Sequence, residues 1–242
     1  MIEACKAVEI MAAAVCEHHR LRPQEISPTP IPDLLVLERS IKLKLRMAEH
    51  HAALLDRATF EKLGRVVDSL SGVPEEPVII LQDEDWVIAI RSALAGTLIR
   101  FMSFSVAVSS CVNAVDTLGR FLNRAYDLKL QPRQASLKAV RGKILETTQL
   151  HTVLNDSPGL SWMVKLRDLR GECQHGRLAG LCYDDQPAKG SEPLVPEEYC
   201  ADGNASPIGE YLDWAMKSTA DLIAKTAREI TAKPEKDAQF KS

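Results

Sequence analysis

An arginine and a histidine lie five residues apart near the predicted end of a helix, and these residue types could hold an anion and transfer a proton. The segment runs from Leu160 to Gly176. Its apolar residues recur at helical steps and predict one buried stripe of Trp162, Leu166, Leu169 and Cys173. Arg170 lies at the edge of this stripe, and His175 directly precedes Gly176, a typical helix stop. Carbonyl groups at a helix C-terminus favour the protonated imidazole, which titrates near neutral pH.

A purely structural role for the pair stays open at this point. Arg170 could pair with Glu172, Asp168 or an acidic residue across an interface, while His175 caps its helix. The spacing R-x4-H is also short, and sixteen arginines and six histidines in 242 residues give about 0.4 chance matches. A second match, Arg46 to His51, lies within a predicted helix and lacks the terminal glycine.

The segment resembles the HEPN superfamily, whose hallmark is an R-x4-6-H motif near the end of a helix in an all-α bundle. An aromatic residue precedes Leu166-Arg167-Asp168-Leu169-Arg170, and His175 and Gly176 follow after four residues. A loop and one last amphipathic helix come next, as in that family. The resemblance covers chiefly residues 83–230.

This resemblance implies metal-independent cleavage of RNA, in which the 2′-hydroxyl of the substrate attacks the adjacent phosphate. It assigns His175 the role of general acid or base and Arg170 the stabilisation of the phosphoryl oxygens. The RNA path would be lined by basic residues: Arg167, Arg177, Lys138, Arg141 and Lys143. Sites of this kind usually form across a homodimer interface and use no metal or other cofactor. The family also suggests a toxin or defence component with an antitoxin-like partner protein, and its non-catalytic members suggest a binding or regulatory module as the alternative.

Two positions depart from the family pattern. The residue after the motif arginine is Gly171, where catalytic members often carry Asn, Asp or His. The second residue after the motif histidine is Arg177, where some toxins carry a tyrosine that their antitoxins modify.

The whole chain reads as all-α. Ala, Leu and Val dominate an apolar fraction of 45%, and only 5% of residues are aromatic, which favours packed helices. Hydrophobic periodicity and capping residues predict helices over 3–20, 34–55, 56–70 (or 59–70), 83–126, 134–154, 158–175 and 208–230. Four prolines between residues 23 and 32 predict an extended connector, and 179–207 reads as a loop. The run 78–81 fits either a short strand or the approach to the next helix.

These elements suggest three parts of unequal size. Residues 1–80 form an N-terminal helical extension packed on the bundle, and residues 81–232 form the HEPN-like bundle around its long central helix. Residues 233–242 are polar and predict a flexible tail.

The net charge of −3 hides an uneven distribution. Residues 120–177 hold eleven Lys and Arg against five Asp and Glu, a net of +6, so the remainder of the chain carries −9. Residues 178–213 alone carry −7. A basic block beside an acidic loop fits a phosphate-binding surface shielded by its own flap, or simply well-solvated helical faces. A uniformly basic nucleic-acid-binding protein is excluded.

Several other classes of protein find no support in the sequence. The first helix lacks the basic start of a signal peptide, and the weakly charged run 101–115 is too short to span a membrane, so we expect a cytoplasmic protein. The six cysteines form no C-x-x-C pair and no two histidines lie four residues apart, so the spacing suggests no metal site. Glycine-rich nucleotide-binding motifs are absent from the sequence as well.

Overall fold

The structure is a computed structural model that describes residues 1–21, 31–57, 84–131, 133–155, 161–174, 194–200, 202–234 and 240; over 84–100 and at positions 31, 32, 56, 57, 155, 161 and 174 it describes the backbone alone. The helices among these residues are α1 (Ile2–Leu21), α2 (Ile31–Arg57), α3 (Glu84–Tyr126), α4 (Leu137–Arg141), α5 (Gln149–Asn155), α6 (Ser161–Gln174) and α7 (Ile208–Ala232). Two-residue strands β1 (Leu194–Val195) and β2 (Ser206–Pro207) form an antiparallel pair. The predicted all-α fold is therefore confirmed.

Helix α3 is the element against which most of the others pack. It has 43 residues, which corresponds to about 65 Å of helix. Helix α2 lies along it, and α4, α6 and α7 also contact it, while α1 packs on α7 and α2. Helices α1 and α2 thus share one hydrophobic core with the rest of the described chain. The largest fully buried side chains are Met11, Leu34, Ile41, Leu45, Phe104, Leu118, Phe121, Leu122, Tyr126, Ile144, Tyr211 and Phe240.

The part of α3 from Phe101 to Tyr126 is long and apolar enough to cross a membrane by length and composition. However, 61% of its most apolar window is buried inside the fold. Core helices that are surrounded by other helices pass the same test, because they too are apolar on all sides.

The predicted single helix over 134–154 is wrong, because the structure has α4 and α5 there, separated by turns. Ser136 caps α4 by accepting a hydrogen bond from the backbone N–H of Ala139 at 3.4 Å. The Oγ1 of Thr148 accepts a bond from His151 N–H at 3.1 Å at the start of α5. Between the two helices, Ile144 forms an isolated β-bridge with Phe240. This pairing across about a hundred residues is invisible to local periodicity, which explains the error.

The backbone of α3 touches the start of α4 at Gly119. A Cβ atom at this position would overlap the backbone nitrogen of Leu137 and the backbone carbon of Ser136. Only glycine therefore allows the two segments to approach this closely.

The turn after α3 is held by the side chain of Asn123. Its Oδ1 accepts a hydrogen bond from Leu130 N–H at 3.1 Å, and its Nδ2 donates to Leu130 O at 3.0 Å. Within this turn Asp127 and Lys129 adopt positive φ angles of 46° and 61°. The amide thus satisfies both backbone groups of Leu130, while the backbone carbonyl of Asn123 at the end of α3 accepts a hydrogen bond from Leu128 N–H at 3.2 Å.

The segments at the C-terminal side differ from the sequence expectations in two respects. The predicted loop 179–207 contains β1, β2 and a 3-10 turn over Glu197–Tyr199. The flexible tail predicted over 233–242 includes Phe240, but the side chain of Phe240 is 1% exposed and its ring lies 4.7 Å from that of Tyr126. The predicted proline connector (apart from residues 31 and 32), the helix over 56–70 (apart from 56 and 57) and the possible strand 78–81 lie outside the described residues.

Candidate functional site

Helix α6 presents its predicted apolar stripe to the core. The side chains of Trp162, Leu166, Leu169 and Cys173 are at most 8% exposed, as their spacing predicts. The ring of Trp162 packs edge-on against Trp214 of α7 at 6.0 Å. This burial fixes the rotation of α6 about its axis, so Arg167 and Arg170 must emerge at the edge that faces α3.

The opposing surface of α3 carries four polar residues on one helical face. Asn113, Asp116, Thr117 and Arg120 follow one another at i, i+3, i+4 and i+7. Arg167 Nη2 lies 2.6 Å from Asp116 Oδ1. Arg170 Nη1 lies 3.4 Å from Asn113 Oδ1 and 4.0 Å from Asp116 Oδ2. Two guanidinium groups of α6 thus share a single carboxylate of α3.

Arg170 is incompletely satisfied by these contacts. Its side chain is 26% exposed, but its Nε atom is buried and makes no hydrogen bond with any described residue. Since Arg167 takes the nearer position at Asp116, Arg170 keeps donors that an anionic ligand could use.

A lysine of α2 reaches the same face of α3. Lys44 Nζ donates to the hydroxyls of Ser40, at 3.2 Å, and Thr117, at 2.5 Å. Thr117 Oγ1 in turn donates to Asn113 O at 2.7 Å. Burial lowers the pKa of Lys44, and the nearby Arg120 lowers it further, against the opposing effect of Asp116.

Comparison with family models, curated protein sequences and solved structures finds no significant match. The candidate site therefore rests on the residues and geometry of this chain alone.

The structure brings only part of the predicted site together. Arg167 and Arg170 lie on one edge of α6, whereas His175 and Arg177 are outside the described residues. In sequence, position 175 directly follows Gln174, which is the last residue of α6. Arg170 pairs with Asp116, not with the predicted candidates Glu172 or Asp168.

The remaining predicted RNA-binding residues belong to a different element. Lys138 and Arg141 are on α4, and Lys143 lies in the turn after it. Lys138 is exposed and the other two are half-buried. Within the described ranges, none of the three makes a hydrogen bond or ion pair with Arg170. They belong instead to α4 and the turn that follows it, and α4 packs against α3.

Sequence reasoning missed Lys44, Asp116 and Arg120 as site residues. A signal was present, because Asn113, Asp116 and Thr117 interrupt the apolar pattern of α3 on a single face. Which helix packs on that face cannot be read from local spacing.

Among the described residues, no group of three His, Cys, Asp or Glu side chains could hold a metal ion.

The departure at Gly171 has no steric cause in the described structure. A Cβ atom there would meet nothing within 4 Å, and the residue lies inside α6. Packing against the described part of the chain therefore does not require glycine at this position.

Proposed function

We propose that the chain is a HEPN-like endoribonuclease that binds an RNA phosphate at Arg170 and cleaves RNA without a metal. The observation that carries the proposal is the sharing of Asp116 by Arg167 and Arg170, which leaves buried Nε of Arg170 without a bond to any described residue. The side chain of Arg170 as a whole is 26% exposed, and a phosphate, which presents several oxygens, would bind at this exposed part.

In the proposed reaction the 2′-hydroxyl of the substrate attacks the adjacent phosphorus. A new bond forms between the 2′-oxygen and phosphorus, the bond to the 5′-oxygen breaks, and a 2′,3′-cyclic phosphate results. His175 takes the proton of the 2′-hydroxyl or delivers one to the leaving 5′-oxygen. Arg170 stabilises the charge that develops on the non-bridging oxygens.

The proposal includes the assembly and setting that the resemblance implies. Two copies of the chain bring their Arg170 and His175 residues to one cleft, and Arg167, Arg177, Lys138, Arg141 and Lys143 contact the RNA backbone. The protein acts in the cytoplasm as a toxin or defence component, with an antitoxin-like partner protein that restrains it.

A non-catalytic helical module is the second candidate function. The ion pairs of Asp116 with Arg167 and Arg170 favour it, because they also serve simply to join α6 to α3. Under this alternative the same surface binds a partner, and no bond in the ligand is broken.

The test is incubation of the purified protein with RNA in the presence of EDTA. Arg170→Ala and His175→Ala should both abolish cleavage, whereas Arg39→Ala, at an exposed position of α2, should leave it unchanged. Far-UV circular dichroism would verify that each variant is folded. A wild-type protein that leaves RNA intact would overturn the proposal and favour the non-catalytic module.

A further inference from the structure

The face of α3 that carries Asp116 gathers cationic side chains from three helices. Arg167 and Arg170 come from α6, Lys44 comes from α2, and Arg120 belongs to α3 itself. Four formal positive charges therefore surround one carboxylate among the described residues of this face. Like charges held this close repel one another, and an anion that joins them relieves the repulsion.

Lys44 is held in place rather than free in solvent. Its ammonium group has three N–H donors, and the hydroxyls of Ser40 and Thr117 accept two of them. The side chain is half-buried, which fixes the direction of the remaining donor. Arg120, by contrast, is exposed, so the cluster opens to solvent on its side.

We propose that Lys44 and Arg120 form a second phosphate subsite, next to the one at Arg170, for a ligand that carries adjacent phosphate groups. The face from Asn113 to Arg120 spans about 10 Å along α3, which is enough for two neighbouring phosphates. This inference rests on the proposed function for the identity of the ligand as RNA. It also gives α2, which precedes the region of HEPN resemblance, a direct part in binding.

Lys44 approaches the polar face of α3 from α2, whereas Arg167 and Arg170 approach it from α6. Helices α2 and α6 both contact α3, and the four polar residues of α3 lie between their two sets of cations. A ligand bound there would touch three helices at once. Loss of Lys44 should therefore weaken binding without changing the groups assigned to bond cleavage.

The first experiment measures binding of pyrophosphate to the full chain by isothermal titration calorimetry. Lys44→Met and Arg120→Gln should each weaken binding at least tenfold, whereas Lys44→Arg should retain affinity within a few-fold because it keeps the charge. The controls are Lys6→Met and Arg39→Gln, at exposed positions on α1 and α2, and they should bind as the wild type does. Absence of pyrophosphate binding by the wild type, or equal binding by Lys44→Met and Arg120→Gln, would overturn the subsite.

The second experiment separates the RNA backbone from free polyphosphate as the source of the phosphates. A 2′-O-methyl oligonucleotide without a terminal phosphate cannot be cleaved by 2′-hydroxyl attack, so its binding reports contacts alone. Each of the two variants should reduce the slope of log K against log salt by about 0.7. If pyrophosphate binding depends on Lys44 and Arg120 while the oligonucleotide does not bind, the subsite stands and the proposed ribonuclease function fails. If Arg170 and His175 are required for cleavage but Lys44 and Arg120 affect neither ligand, the subsite fails and the ribonuclease stands.

Discussion

Arg167 holds Asp116 through a 2.6 Å contact between Nη2 and Oδ1, and this pair joins α6 to α3 beside Arg170. Both side chains are about one-fifth to one-quarter exposed, so solvent screens the pair only partly. Asp116 is thus both a structural link and, among the described residues of this cluster, the single negative charge. Removal of this charge should therefore lower the stability of the fold and raise the affinity of the cluster for an anion.

Asp116→Asn tests this relationship. The amide keeps an oxygen for Arg167 but loses the charge, so the free energy of unfolding should fall by about 1 kcal/mol. Pyrophosphate affinity should rise severalfold, because the competing carboxylate is gone. Urea unfolding and calorimetric titration measure the two effects, with exposed Asp221→Asn of α7 as the control. Weaker pyrophosphate binding by Asp116→Asn would contradict the expectation.

The pH dependence of stability should reflect His19, which is buried and whose Nε2 lies 2.9 Å from the carbonyl oxygen of Ala125 near the end of α3. Burial lowers the pKa of His19, and His18 adds to this, against the opposing effect of the hydrogen bond. At His19 the unfolded chain therefore binds more protons than the folded chain between the lowered folded pKa and about pH 6.5. Stability contributed by neutral His19 is fully present above that pH and is lost as the pH falls towards the lower folded pKa.

His19→Gln removes this titration while keeping a side-chain donor. Chemical unfolding between pH 5 and pH 8 should show a shallower loss of stability on acidification than in the wild type. His151→Gln, on α5, provides the control and should retain the wild-type slope. An unchanged slope in His19→Gln would assign the pH dependence to another group, such as His51, whose pKa is also lowered by burial.

Asn123 should be a strong determinant of stability because its amide satisfies both backbone groups of Leu130. Asn123→Ala leaves these groups without their partners and should lower the free energy of unfolding by about 1–3 kcal/mol. Urea unfolding is the measurement, and exposed Gln131→Ala in the same turn should change stability by less than about 0.5 kcal/mol. Equal stabilities for the two variants would refute the assignment.

Two glycines should respond in opposite ways to the same substitution. Gly171→Ala adds a methyl group where no atom of the described residues lies within 4 Å, and it should stabilise α6 by up to about 1 kcal/mol. Gly119→Ala forces a methyl group into the backbone of Ser136 and Leu137 and should destabilise the fold or displace α4. Thermal unfolding measures both variants. If both substitutions raise the melting temperature, or both lower it, the packing described for one of the two glycines is wrong.

Phe240 should contribute to stability as a core residue. Phe240→Ala removes a ring that is 1% exposed and packs on Tyr126, and it should cost about 3–5 kcal/mol. Phe240→Leu retains much of the volume and should cost clearly less. Urea unfolding distinguishes these outcomes, and a wild-type midpoint for Phe240→Ala would show that the ring does not stabilise the core.

The sequence predicts the long elements of this fold well because their apolar residues repeat every three or four positions. Helices α1, α3 and α7 lie within about two residues of their predicted bounds, and the buried stripe of α6 was identified residue by residue. The break between α4 and α5 was missed because the bridge from Ile144 to Phe240 is a long-range contact.

The candidate site was only partly predictable for a related reason. Arg167 and Arg170 were found because they share a helix with a recognisable motif. Lys44 and Asp116 lie on separate helices, and their proximity depends on which faces of the two helices pack together. Periodicity indicates that a helix has a buried face, but it does not identify the helix that covers it.

The close approach at Gly119 offers a way to recognise distant relatives of this chain. A homologue that keeps the same path of α4 across α3 must carry glycine at the corresponding position, since any side chain would collide with backbone atoms. Catalytic residues can be exchanged as activities diverge, whereas a backbone-to-backbone contact leaves no such freedom. A sequence search that requires this glycine, together with the polar face that begins six residues before it, would therefore find chains that share this fold whatever reaction they catalyse.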